Sequence, residues 1–206
     1  MKIIGIHCSP RKGQTTQKSL EVCLKAVHNE SGNIETAIIE LADFDIRGCL
    51  GCGYCKKQLK CKQEDDFNSL IPVLSDEEVA GIIIATPVYL GTMTSQCKAF
   101  LDRTVVLARN GSLLHNKVGA VLAVGGVRNG GQELTTQAVQ AAMLCHDMVC
   151  VGGGTKAAHF GAALVSNEEK GIECDEIGIE TARDIGRRVA DLATSLNRDS
   201  KTNLGN

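Results

Sequence analysis

Cys49, Cys52, Cys55 and Cys61 form the run Cys-x2-Cys-x2-Cys-x5-Cys, the densest group of metal-ligating residues in a chain with 10 cysteines. Three thiolates at this spacing can wrap one iron–sulfur cluster, and a compact motif can supply the fourth locally. Gly51 and Gly53 allow tight turns between ligands and leave N–H groups free to bond sulfur, while Lys56, Lys57, Lys60 and Lys62 offset the charge of thiolates and cluster. Structural zinc more often uses two separated Cys-x2-Cys knuckles, and disulfides are disfavoured in a reducing compartment. A cluster is therefore the preferred reading, with zinc, a disulfide pair and a metal-free loop as alternatives. Cys8, Cys23, Cys97, Cys145, Cys150 and Cys174 read mostly as small buried hydrophobes.

Three other stretches have the residue types of a ligand site. Ser9-Pro10-Arg11-Lys12-Gly13-Gln14-Thr15-Thr16 offers hydroxyls, backbone N–H groups and cations, the chemistry of a phosphate held at a helix N-terminus. It lacks the Gly-Lys-Ser/Thr of a Walker A loop and the G-x-G-x-x-G of a dinucleotide fingerprint; an ordinary capped turn is the alternative. Thr86-Pro87-Val88-Tyr89-Leu90-Gly91-Thr92-Met93 has a tightly constrained backbone whose polar groups can meet the edge of a flat heterocycle, with Tyr89 able to pack on the ring or to be a half-buried loop aromatic. Gly125-Gly126-Val127-Arg128-Asn129-Gly130-Gly131-Gln132 suits close backbone approach to a ligand, or is a solvated flexible loop. No Ser/His/Asp or comparable acid–base constellation is evident, and His7 and His159 read as core or loop histidines.

These stretches act together only if the elements between them converge. Apolar, β-branched runs predict strands at Lys2–His7, Ile34–Leu41, Val79–Ala85, Lys117–Val124 and Met148–Val151. Helical spacing predicts helices at Thr15–Asn29, Asp66–Leu74, Ser95–Arg109, Gln132–His146 and Asp175–Leu196. The alternation implies an α/β three-layer sandwich on a five-stranded parallel sheet of order 2-1-3-4-5. Right-handed crossovers then put the three loops on one sheet edge, after strands 1, 3 and 4. A flavin mononucleotide needs that arrangement: phosphate on the first loop, ring between the others. One domain spans 1–196, with a Cys-rich loop at 42–65 and a polar tail at 197–206.

A net charge of −2 gives no reason to expect nucleic acid or an anionic membrane as partner, and the absence of Trp with 3% aromatics disfavours a base-stacking platform. No run approaches the roughly 18 apolar residues of a membrane helix, and Met1–Ile6 is too short for a secretory h-region. A cytoplasmic location is expected.

Ser9-Pro10-Arg11 with Thr15-Thr16, Thr86-Pro87-Val88-Tyr89 with Gly91-Thr92, and Lys98-Ala99-Phe100-Leu101-Asp102-Arg103 resemble the NADPH-dependent FMN reductase branch of the flavodoxin-like superfamily. The resemblance runs from Met1 to about the end of the fifth strand; His7-Cys8 departs from it, the branch often having a small residue or glycine there. The four-cysteine motif followed by Asp65-Asp66 resembles the iron–sulfur flavoproteins of anaerobes. The resemblance implies Ser9, Arg11, Gln14, Thr15 and Thr16 at the FMN phosphate, and Pro87, Val88, Tyr89, Leu90, Gly91 and Thr92 at the ring. Gly126, Val127 and Arg128 would close over it, and Cys49, Cys52, Cys55 and Cys61 would hold a [4Fe–4S] cluster. It implies an FMN-dependent oxidoreductase, linked to NAD(P)H or ferredoxin, in which electrons pass between FMN and cluster. A cluster-free NAD(P)H-dependent FMN or quinone reductase is the alternative, and a non-catalytic redox sensor or electron carrier a third. With the cysteine loop leaving strand 2 at the sheet edge, three strand steps separate cluster from ring by roughly 14 Å, so a homodimer or homotetramer is expected, with the cluster of one chain serving the FMN of another.

Overall fold

The runs that read as buried strands, Val79–Pro87 (β3) and Val118–Gly125 (β4), lie side by side at the centre of a parallel sheet, where apolar residues on both strand faces can be buried. Lys2–His7 (β1) pairs with β3, Glu35–Glu40 (β2) closes that side, and Val149–Cys150 (β5) lies beyond β4, giving the order β2-β1-β3-β4-β5. The computed structural model describes residues 1–154, 159–166 and 171–202. Helices α1 (Thr15–Glu30) and α6 (Glu176–Thr202) cover one face, packing Leu20, Leu24, Ile185 and Val189 on Ile3, Ile83 and Leu122. On the other face α2 (Phe67–Leu74), α3 (Ser95–Arg103), α4 (Val105–Arg109) and α5 (Gln132–Leu144) pack on Ile4, Ile6, Ile84 and Val121. The architecture is the expected flavodoxin-like sandwich.

Three details differ from the sequence reading. The fifth lane is shared by two short strands: β5 (Val149–Cys150) pairs with Val118 and Gly119, and β6 (Ala162–Val165) pairs with Leu122–Gly125. Four residues behind a glycine were too short a signal to read as a strand. The outward edge of β6 is occupied rather than open, because Thr181 Oγ1 accepts from Ala163 N–H (3.3 Å), Asp175 Oδ2 from Val165 N–H (2.7 Å), and Arg128 donates to Ala163 O (3.2 Å). The helix expected over Ser95–Arg109 is two, broken at Thr104, whose Oγ1 bonds Leu101 O (2.7 Å) and His146 Nε2 (2.8 Å). The last helix continues past Leu196 to Thr202, and the rest of the expected tail, 203–206, lies outside the described residues. Among the described residues no helix is long and apolar enough to cross a membrane.

Candidate functional site

At the C-terminal edge of the sheet the three loops meet. In the first, Ser9 is buried and its Oγ accepts from Arg11 N–H (3.1 Å), while Arg11 and Gln14 are exposed and Lys12 pairs with Asp43. Lys18 N–H is the first to find a backbone acceptor, Gln14 O (3.1 Å), so the N–H groups of Thr15, Thr16 and Gln17 precede the helical ladder. Thr15 and Thr16 are buried, and Thr15 Oγ1 lies 3.1 Å from Ser166 Oγ. In the second loop Val88 N–H bonds Val124 O (2.8 Å), tying it and Pro87 beside β4. Tyr89 and Thr92 then exchange backbone bonds (2.8 and 3.2 Å) around Leu90 and Gly91, at φ +48° and +81°, a tight turn that lifts Leu90 fully into solvent with Tyr89 beside it. Thr94 Oγ1 donates to Cys8 O (2.8 Å), joining this loop to the first. The third loop closes on the second: a Cβ on Gly131, whose φ is +97°, would stand 3.2 Å from Gly91 Cα and 3.3 Å from Val88 Cγ1. Gln132 shapes it, accepting from Gly130 N–H (2.7 Å) and donating to Val127 O (2.8 Å). Gly126 and Val127 are exposed, and Arg128 commits its guanidinium to Asp175 at the start of α6.

The cysteine loop leaves the β2 edge. It crosses to α4, where Cys49, Cys52, Cys55 and Cys61 line one recess together with Val105, Val106, Arg103 and Arg109. Arg103, almost fully buried, makes a two-bond fork to Asp65 (2.6 and 2.8 Å) and donates to Arg47 O (2.7 Å). One side chain thus clasps both ends of the loop. Arg109 donates to Cys55 Sγ (3.2 Å), Asn110 to Cys55 O (2.9 Å), and Gly51 N–H to Cys49 Sγ (3.4 Å). Asn68 holds Cys61 by N–H and C=O (2.8 and 3.2 Å). Among the described residues no group of three or more Cys, His, Asp or Glu side chains is placed to hold a metal ion.

The family model for NADPH-dependent FMN reductase matches residues 1–163. An iron–sulfur flavoprotein of Methanocaldococcus jannaschii is 39% identical over 198 residues, covering 96% of this chain and all 100% of its own. The iron–sulfur flavoprotein of Methanosarcina thermophila is 38% identical over 201 residues, covering 97% and 100%. The chain belongs to the iron–sulfur flavoprotein family. It is an FMN flavoprotein of oxidoreductase type. Among solved structures, the WrbA-like flavodoxin of Agrobacterium tumefaciens superposes with a TM-score of 0.60 at 18% identity over 94% of this chain and 97% of that one, a likeness of fold.

The flavoprotein's electrostatics centre on the clasp. Burial alone would raise the Asp65 carboxyl, but the Arg103 fork and the N–H groups of Arg47 and Phe67 outweigh it and hold it below the usual carboxylate range. Desolvation pulls Arg103 down, and Asp65 and Cys61 more than restore it, so it stays charged. Its guanidinium also stacks 4.8 Å over Phe67. Asp65-Asp66 open α2: Asp66 is its N-cap and Asp65 accepts from Phe67 N–H (3.3 Å) as well as from Arg103, while Asp66 also accepts from Asp45 N–H (2.7 Å) across the loop neck. Arg109, Asn68 and Asn110 were missed, because a lone polar residue on a helix gives no signal until its distant partner is known.

Proposed function

We propose that this protein passes electrons between FMN, bound at the three sheet-edge loops, and a [4Fe–4S] cluster, bound by Cys49, Cys52, Cys55 and Cys61. The observation that carries the reading is the single recess that all four cysteines line, beside Arg103 and Arg109. The donor set fits: four soft thiolates, an N–H bond to Cys49 and a guanidinium bond to Cys55, with cations to offset cluster charge. Ser9, Arg11, Gln14, Thr15 and Thr16 would hold the phosphate. Pro87 to Thr92 would border the ring, and Gly126, Val127 and Arg128 would flank it, Arg128 through its Asp175 anchor. A flavin exchanges one or two electrons and a cluster one, so together they couple a hydride donor such as NAD(P)H to a one-electron carrier such as ferredoxin.

The placement of the cysteine loop also supports assembly. Arg103, which clasps it, lies nine residues beyond Thr94, about 13 Å along a helical axis leading away from the second loop. A second copy that brings its recess over the ring shortens that path, so the working unit is a homodimer or homotetramer.

Anaerobically purified protein should carry about one FMN per chain, a broad cluster absorbance and stoichiometric iron. Serine at any one of the four cysteines should deplete iron and leave FMN bound. Zinc in place of iron would indicate the structural-site alternative. A metal-free preparation that still turns over NAD(P)H would indicate the cluster-free reductase.

A further inference from the structure

Between Asp45 and Glu64 the chain has no carboxylate and five cations, Arg47, Lys56, Lys57, Lys60 and Lys62. The site described above uses two of them. Arg47 closes the loop neck, donating to Glu64 O (2.7 Å), and Lys62 lines the cysteine recess together with Arg103 and Arg109. Positive charge facing the recess is thus supplied from its own lining. Lys56, Lys57 and Lys60 are not part of that lining. All three are exposed, and their side chains make no ion pair or hydrogen bond among the described residues. Three cations within five residues repel one another, and an anionic surface laid against them relieves that repulsion.

The segment Lys56-Lys57-Gln58-Leu59-Lys60 is the step between Cys55 and Cys61. Its backbone is folded by its own turns, with Lys57 N–H on Tyr54 O (3.2 Å) and Lys60 N–H on Gln58 O (2.8 Å). Both of its ends are posted. Asn110 donates to Cys55 O (2.9 Å), and Asn68 bonds the N–H and C=O of Cys61 (2.8 and 3.2 Å). The lysines are therefore carried on a tip with fixed ends. Leu59, 41% exposed, stands among them. A charged, solvated rim with an apolar residue inside it is the make-up of a small, transient protein interface.

We propose that the 56–60 tip is the docking surface for an acidic one-electron carrier protein. The inference rests on the reading of the four cysteines as cluster ligands and goes beyond it, in giving the carrier a charge and a place. With a net charge of −2 the molecule as a whole does not attract polyanions, so the attraction is local to the tip. The tip begins and ends at two of the four cysteines. A carboxylate-rich carrier steered there is held beside the recess rather than elsewhere on the surface. A nucleic acid or an anionic membrane would gain nothing from that position. The recess lining that a second copy would cover does not include the tip.

The test is a calorimetric titration of the anaerobic holoprotein with an acidic two-cluster bacterial ferredoxin at low and high salt. The unaltered protein should bind it, with an affinity that falls as salt screens the charges. The triple variant Lys56→Gln, Lys57→Gln, Lys60→Gln should keep its iron and FMN, bind about tenfold more weakly at low salt and lose most of the salt dependence. Leu59→Ser should weaken binding and keep the salt dependence. Ferredoxin with amidated carboxylates should bind the unaltered protein and the triple variant equally. Unchanged affinity in an iron-replete triple variant would overturn the docking surface and leave the cluster reading intact. Loss of iron from that variant would assign the lysines to the cluster's own counter-charge and overturn it too. So would altered sedimentation, which makes the tip a contact between copies, or an equal loss of binding to phosphatidylserine vesicles, which makes it a general anion surface. Unaltered protein purified without iron would refute the cluster reading and take the carrier with it.

Discussion

At the scale of single residues, the informative contacts join positions far apart in the chain. Arg109 donates to Cys55 Sγ across 54 positions, and Arg103 forks to Asp65 across 38. A guanidinium that bonds a ligand sulfur stabilises the more negative, reduced state of a cluster. Arg109→Gln with iron retained should therefore have a more negative reduction potential in a mediated titration, and Arg109→Lys should recover part of the difference; identical potentials would show that the contact leaves the cluster untouched. His146 offers a second prediction. It is buried, with Nε2 at Thr104 Oγ1 and Nδ1 unpartnered among the described residues, and burial lowers its pKa. A histidine with a folded pKa below its unfolded value of about 6.5 binds its proton more tightly when unfolded. Stability should thus be full above that pH and fall as pH drops toward the folded value. Urea unfolding between pH 7.5 and 5 should show this slope, and His146→Gln should flatten it.

At the scale of elements, the cysteine loop is built as a clasped Ω. Arg103 in α3 grips Arg47 O and Asp65 at the two ends, and Asn68 in α2 and Asn110 after α4 tie its middle. Removing one partner of a buried pair strands the other, at about 3–5 kcal/mol. Arg103→Ala should lose stability of that order in denaturant titrations of the iron-free protein, and limited proteolysis should cut within residues 47–65. Resistance to cleavage with unchanged stability would mean that the clasp is decorative. Asp65 adds a pH signature: its folded pKa is depressed, so its contribution is present above the unfolded value of about 3.9 and disappears as pH falls through the lower folded one. At this scale β1, β3, β4 and α1 were legible from periodicity, because each carries a long apolar run or a clear helical face. The break at Thr104 and the four-residue β6 were not, since both follow from side-chain bonds and glycine-rich approaches that only neighbours define.

At the scale of the whole molecule, binding a ligand to the folded state alone stabilises it. FMN at a hundredfold its dissociation constant should add about 2.7 kcal/mol to the flavin-free protein, read as a raised Tm that riboflavin reproduces more weakly at equal concentration. Assembly is tested by sedimentation equilibrium together with cluster reduction through the flavin: a monomer that reduces its cluster at full rate would rule out transfer between subunits. The sequence by itself determined the doubly wound sheet and its strand order, because alternating strands and helices with right-handed crossovers leave few other ways to bury two-faced strands. It also determined that the stretches after β1, β3 and β4 share one edge, since every strand of a parallel sheet ends on the same side. Only the tertiary structure decided where the cysteine loop goes. A long polar loop carries no periodicity, so its course depends on which distant side chain holds it. Here Arg103, Asn68, Arg109 and Asn110 draw it off the β2 edge and onto α4. The same holds for His7, one apolar-strand position among several in the sequence. Its pairing with Glu40 exists only because β2 brings that residue into register beside it.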